Sequence, residues 1–226
     1  MPGYYIHLAA CPVDTLKNRS FVLGVEAPDL LKKYYKICCG SEKAGAKFNV
    51  IRTNMTPEYN QLKKRVEQKE SAKSNEGLHY GLSSNPDVRA CWDDLDPVKK
   101  ANPFYRGYVW HLLTDKLIYS KLNIDEKFQN VLEKKEHVDI DELRKEEVKK
   151  LHSDWDKTNA LVRDTYPEVA LTDEVKELGV VQFASGELVY VSWEVLKDTI
   201  EYLRSFNPIN GDMDFIIEEV LNNIKN

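Results

Sequence analysis

The chain of 226 residues lacks the features that mark several protein classes. No stretch approaches the roughly 20 apolar positions needed to span a bilayer, so no stable membrane insertion is expected. Its start, Met1-Pro2-Gly3-Tyr4-Tyr5-Ile6-His7, has neither a basic n-region nor a long apolar h-region. No signal peptide is therefore expected, and a cytoplasmic location is. Ten glycines and nine prolines are too few for a linker-rich or collagenous chain. The four cysteines, Cys11, Cys38, Cys39 and Cys91, fit no zinc-knuckle spacing and read as reduced, mostly buried thiols. Gly-x-x-x-x-Gly-Lys, Gly-x-Gly-x-x-Gly and Gly-x-Ser-x-Gly are absent, which removes the P-loop, dinucleotide and serine-hydrolase readings. Positive charge is not in excess: 32 Lys and Arg face 37 Asp and Glu, a net charge of -5. Nucleic acid and anionic lipid surfaces are thus not expected as nonspecific partners.

What is present is a globular composition, 42% apolar and 31% charged, with helical periodicity along most of its length. A short helix is expected within residues 3–18, followed by an apolar run from Phe21 to Val25 that Pro28 should halt with a bend. Further helices are expected over Glu58–Glu70, from Asp87 to Trp92, and from Pro103 to Leu122 with Asn102 as cap. Residues 125–136 form a charged amphipathic stretch. A long helix from Asp141 to Tyr166 would bury Leu143, Val148, Leu151, Trp155, Leu161 and Val162. Residues 179–184 and 188–191 flank Ser185-Gly186-Glu187 as a hairpin, and two helices near 193–206 and 213–223 close the chain. The reading is mainly α: a single helical domain over 1–226 around a metal-binding cleft, with a short β-hairpin late in the chain.

Two polar residues stand out in the most apolar helix. His111 and Asp115 are four apart, on one face, with roughly 5–6 Å between their Cβ atoms. They can share a cation, or simply hydrogen-bond to each other in the core. A buried carboxylate needs a partner, and Arg106 is another candidate. His7 sits in an apolar segment, where a hydrogen-bonded core histidine is the plain alternative. Asp29 follows Pro28, where a cap or turn former is the common use. His79 lies in a polar stretch and could be merely solvated. His137 sits among charges and reads as solvated, and the Lys63-Lys64-Arg65 and Lys145–Lys150 runs read as solvated faces.

The order His7, Gly24-Val25-Glu26-Ala27-Pro28-Asp29, His79, and Gly107-Tyr108-Val109-Trp110-His111-Leu112-Leu113-Thr114-Asp115 resembles the zinc-dependent phospholipase C family. The resemblance covers the first half of the chain, and Gly-Tyr-x-x-His-Leu-x-x-Asp is its most specific part. It implies an all-helical fold with zinc ions in a cleft between helices. By this resemblance Asp29, His79, His111 and Asp115 would bind one zinc, and His7 would join a bridging Asp115 on a second. The position of Asp29 is also the family's proposed general base. A third zinc in the family uses two histidines and a glutamate. Here His152 and Asp156 keep the spacing with Asp for Glu, and no histidine follows Asp115 closely enough to complete the group. One or two Zn2+ ions are therefore implied.

The function this implies is a zinc-dependent phosphoric ester hydrolase using activated water, with Asp29 as the catalytic base. The substrate is a small phosphorylated molecule, phosphodiester or phosphomonoester, or a phospholipid. A helical phosphohydrolase of the His-Asp type would need adjacent His and Asp, and the chain has none. The non-enzyme alternative is a helical binding or scaffold protein retaining a structural metal site. The oligomeric state is not legible.

Overall fold

Two glycines set the central crossing. Helix α2 (Arg19–Cys38) packs along helix α5 (Pro103–Lys121). A Cβ at Gly24 would fall 1.9 Å from the carbonyl oxygen of Phe104, and one at Gly107 only 2.2 Å from that of Phe21. Only glycine allows the two backbones to approach this closely. The protein is described here from a computed structural model covering residues 3–38, 79–82, 84–133, 139–179 and 181–225, with backbone alone for 31–38. The helix expected over Glu58–Glu70, Cys39 and His137 lie outside the described residues.

The other elements assemble around that crossing. Helix α1 (Tyr4–Ala9) leads through a 3-10 turn (Val13–Lys17) into α2. Strands β1 (Gly81–Leu82) and β2 (Asn85–Pro86) pair antiparallel, Gly81 opposite Pro86 and Leu82 opposite Asn85. Helices α3 (Val88–Asp93) and α4 (Pro97–Ala101) lead into α5. Then come α6 (Ile124–Glu133), α7 (Ile140–Thr165), α8 (Asp173–Leu178), α9 (Trp193–Arg204) and α10 (Met213–Lys225). The cap of α5 forms as the sequence predicts: Phe104 N–H donates to Asn102 Oδ1 at 2.9 Å, with Pro103 in the first turn. Helix α5 is buried on all sides, with Phe104, Val109, Trp110, Leu112, Leu113, Leu117 and Ile118 in one continuous core. Amphipathic α9 and α10 cover one flank of it. The described residues are mainly helical with one two-stranded hairpin, and no helix among them is long and apolar enough to cross a membrane.

Three local expectations are corrected. Helix α2 runs through Pro28 instead of stopping there. Pro28 supplies no N–H to the carbonyl four residues back, but the packing of α2 on α5 carries the helix onward. The segment 179–191 is not a hairpin: no strand is found among its described residues, and the hairpin that exists lies at 81–86. The backbone donors of this segment have a different acceptor. Val189, Tyr190 and Val191 all donate N–H to Asp154 Oδ2, at 2.8, 2.6 and 3.2 Å. Ala184 N–H donates to Asp156 O at 3.1 Å, and Asn159 Nδ2 donates to Gln182 O at 3.0 Å. The segment is a strap laid along α7. That strap also corrects the buried face of α7. Val148 and Leu161 are exposed, while Glu147, Asp154, Thr158 and Asn159 are buried beside Leu143, Leu151, Trp155 and Val162.

Candidate metal centre

The Gly24–Gly107 approach brings the end of one apolar segment against the middle of another. Asp29 on α2 then lies near His111 on α5, while α1 delivers His7 and His79 stands two residues ahead of β1. All five side chains are buried, His79, His111 and Asp115 completely. His79 is not a solvated loop residue, and Asp29 is neither a cap nor a turn former.

Asp115 is the hub. His7 Nε2 is 3.0 Å from its Oδ1. His111 Nε2 and His79 Nε2 are 3.4 and 3.7 Å from its Oδ2. Tetrahedral ligands at about 2.1 Å from a zinc ion stand about 3.4 Å apart, so these separations are of the right order for a shared ion. Two sets of ligand atoms lie within 4.8 Å of one another: His7, His111 and Asp115, and Asp29, His79 and His111. His111 belongs to both.

The far side of two rings fixes their chemistry. His7 Nδ1 is 3.1 Å from Gly3 O, and His111 Nδ1 is 2.8 Å from Val25 O. A carbonyl only accepts, so both Nδ1 atoms carry hydrogen. In the neutral tautomer each ring then presents an Nε2 lone pair toward a carboxylate. Either both rings gain a second proton, or a cation lies between nitrogen and oxygen. Two imidazolium ions are a poor solution, because the His7 and His111 rings stack with centroids 3.9 Å apart at 7°. One divalent cation replaces both extra protons. Asp29 Oδ1, His111 Nε2 and Asp115 Oδ2 are buried without a hydrogen-bond partner, as atoms reserved for a metal would be. Two imidazoles held through Nδ1 by carbonyls are the ordinary second layer of a histidine metal site. The nitrogen and carboxylate donors suit zinc or another borderline divalent ion. The residues fit such an ion.

Without an ion, Asp115 and His111 stabilise each other's charged forms. Burial disfavours the charged form of Asp115, but His111 and His7 outweigh it and hold the carboxyl far below its usual range. Burial likewise opposes a charged His111, and Asp115 overcomes it, so His111 titrates above its ordinary value. Tyr119, one turn beyond Asp115, was not singled out by its residue type. Its hydroxyl is pushed well up by burial and then by the charges of Asp115 and Asp29. Position i+4 from Asp115 is the signal that marks it.

The remaining candidates stand elsewhere. His152 is exposed and Asp156 half-buried, and neither belongs to either ligand set. Glu26, inside the quoted motif, accepts from Thr172 N–H at 3.2 Å and from Thr172 Oγ1 at the start of α8. Arg106 does not pair with Asp115. Its guanidinium donates to the carbonyls of Pro208, Lys100 and Gly211. Cys11 and Cys91 are buried thiols in no disulfide, and Cys11 Sγ donates to His7 O at 3.2 Å. No protein-family model, curated protein or solved structure matches the chain.

Proposed function

We propose that the protein is a metal-dependent phosphoester hydrolase, with one or two Zn2+ ions held by His7, Asp29, His79, His111 and Asp115. The observation that supports this most is the pair of stacked imidazoles, each donating Nδ1–H to a carbonyl and aiming Nε2 at Asp115. An ion held by these residues would acidify water and offset negative charge on phosphoryl oxygens. The chain's own residues do the rest. His7 and His111 keep their tautomer through Gly3 O and Val25 O. Asp29, whose Oδ1 has no hydrogen-bond partner, accepts the proton of the attacking water. Water oxygen bonds to phosphorus and the P–O bond to the alcohol breaks. The departing oxygen takes the proton from Asp29, so a phosphate product and an alcohol result and Asp29 is again a carboxylate. The motif residues resembling the zinc-dependent phospholipase C family point to the same class, for a small phosphoester or a phospholipid.

The complete burial of His79, His111 and Asp115 favours one second reading, a structural metal in a non-catalytic protein. Metal analysis and turnover of bis-p-nitrophenyl phosphate, with chelator and after zinc is restored, separate the two. Activity lost to chelator and regained with zinc supports the hydrolase. Stability lost to chelator with no turnover in either state supports the structural metal. Absence of stoichiometric transition metal, or full activity in His111→Ala, contradicts both the centre and the reaction.

A further inference from the structure

A cavity of about 250 Å3, open to solvent, lies against the side of α5 that carries Lys116, Tyr119 and Ser120. Asn85, Tyr119, Ser120, Asn123, Asp125 and Glu126 line it. It is built from the same elements as the cluster: the hairpin that follows His79, and the helix that carries His111 and Asp115. Tyr119 is common to both, lining the cavity one turn beyond Asp115. The walls are held firmly. Asn123 adopts a left-handed backbone, φ 50°, in the two-residue turn between α5 and α6. Asparagine tolerates this conformation better than most residues. Its carbonyl accepts from Lys127 N–H at 3.0 Å, which sets the first turn of α6, with Asp125 and Glu126, beside the end of α5. On the opposite wall Lys116 Nζ donates to Asn85 Oδ1 and to Pro86 O, both at 2.9 Å. That pins the hairpin to α5 and leaves the Asn85 amide NH2 to donate.

The chemistry of this lining is specific. Two carboxylates beside one lysine make the cavity a poor receptor for a phosphate. Carboxylates accept from neighbouring hydroxyls, the amides and Ser120 both donate and accept, and an aromatic ring offers a flat surface to C–H groups. The volume is below the roughly 300–1,000 Å3 typical for drug-sized ligands, and so suits one ring or a short chain. We infer that this cavity binds a polyhydroxylated group of about one sugar or cyclitol ring. If the cluster hydrolyses phosphoesters, as proposed above, the group is the alcohol part of a polyol phosphate ester, lying beside the metal centre across Tyr119.

The test uses the full chain. Saturation-transfer NMR with myo-inositol and D-glucose, with cyclohexanol as comparison, reads the cavity without requiring metal or turnover. Binding of a polyol but not of cyclohexanol is expected. It should weaken at least tenfold in Asp125→Asn/Glu126→Gln, and also in Ser120→Ala, which keeps the charges of the α6 turn should the double variant not fold. No polyol binding, or binding that both variants leave unchanged, overturns the assignment. With zinc present, the preference for inositol or glucose phosphate over p-nitrophenyl phosphate should fall at least tenfold in the same variants, with bound zinc unaltered. Polyol binding without hydrolysis of any ester would remove the hydrolase reading and leave the cavity assignment intact. Hydrolysis without polyol binding would do the reverse.

Discussion

Asp115 and Asp154 are both fully buried carboxylates, yet their surroundings are opposite. Asp154 on α7 meets hydrogens: three backbone N–H groups on Oδ2, and Lys157 Nζ 3.2 Å from Oδ1. Asp115 on α5 meets nitrogens, two of them on rings whose one obligatory hydrogen points away to a carbonyl. Its Oδ2 has no hydrogen bond at all. A buried carboxylate supplied with donors holds chain segments together. One supplied with lone pairs needs either protons on those rings or a cation. The number of protons facing each oxygen, more than burial or net charge, separates the two carboxylates.

The largest effect that sharpens this contrast should come from Asp154→Ala. It orphans three buried N–H groups and frees the strap, and should cost about 3–5 kcal/mol whether or not metal is present. Chemical denaturation in chelator and in zinc checks this, and a cost seen only with zinc would undo the contrast. Gly24→Ala drives a Cβ into the Phe104 carbonyl and should cost about 3 kcal/mol by the same measurement. Because it opens the α2–α5 crossing, it should also weaken metal binding. Next is metal removal. At zinc a hundredfold above its dissociation constant, the loaded protein should be about 2.7 kcal/mol more stable than the chelated one. In Asp115→Asn that gain should vanish, and in Asp154→Asn it should persist.

The smallest effect is on pH. His111 titrates above its unfolded value of 6.5, so its contribution to the metal-free protein is full below that value. It is lost as pH rises through the raised folded value. Asp115 is depressed, so its contribution is present above 3.8 and lost only as pH falls through a much lower folded value. It is therefore constant from about pH 5 to about pH 8. Metal must displace the imidazole protons, so its stabilisation grows with pH. The gap between zinc-loaded and chelated melting temperatures should widen from about pH 5 to about pH 8. A gap that narrows would contradict the assignment of His111.

The sequence carries the cluster unevenly. His111 and Asp115 are legible as a pair because two polar residues four apart in so apolar a helix need a partner, whether a cation or each other. The lateral anchors are not legible, because Gly3 O and Val25 O are backbone atoms that no residue type announces. Pro28 reads as a stop, but the tertiary contact at Gly24 and Gly107 carries α2 past it. Alternating apolar residues around Gly186 read as a hairpin, because alternation reports exposure on two sides and not the identity of the hydrogen-bond acceptor. That acceptor, Asp154, lies 35 residues earlier in the chain from Val189. The same partnership buries Asp154 and Asn159 where a periodicity of apolar residues expects Leu161 to go inward.

X-ray absorption at the zinc edge, on the zinc-reconstituted full chain at one equivalent, tests the centre most directly. A nitrogen and oxygen shell at about 2.0–2.2 Å is expected, with the outer-shell scattering of at least two imidazoles, lost in His111→Ala. A spectrum of hydrated zinc, or one unchanged by that substitution, would contradict it.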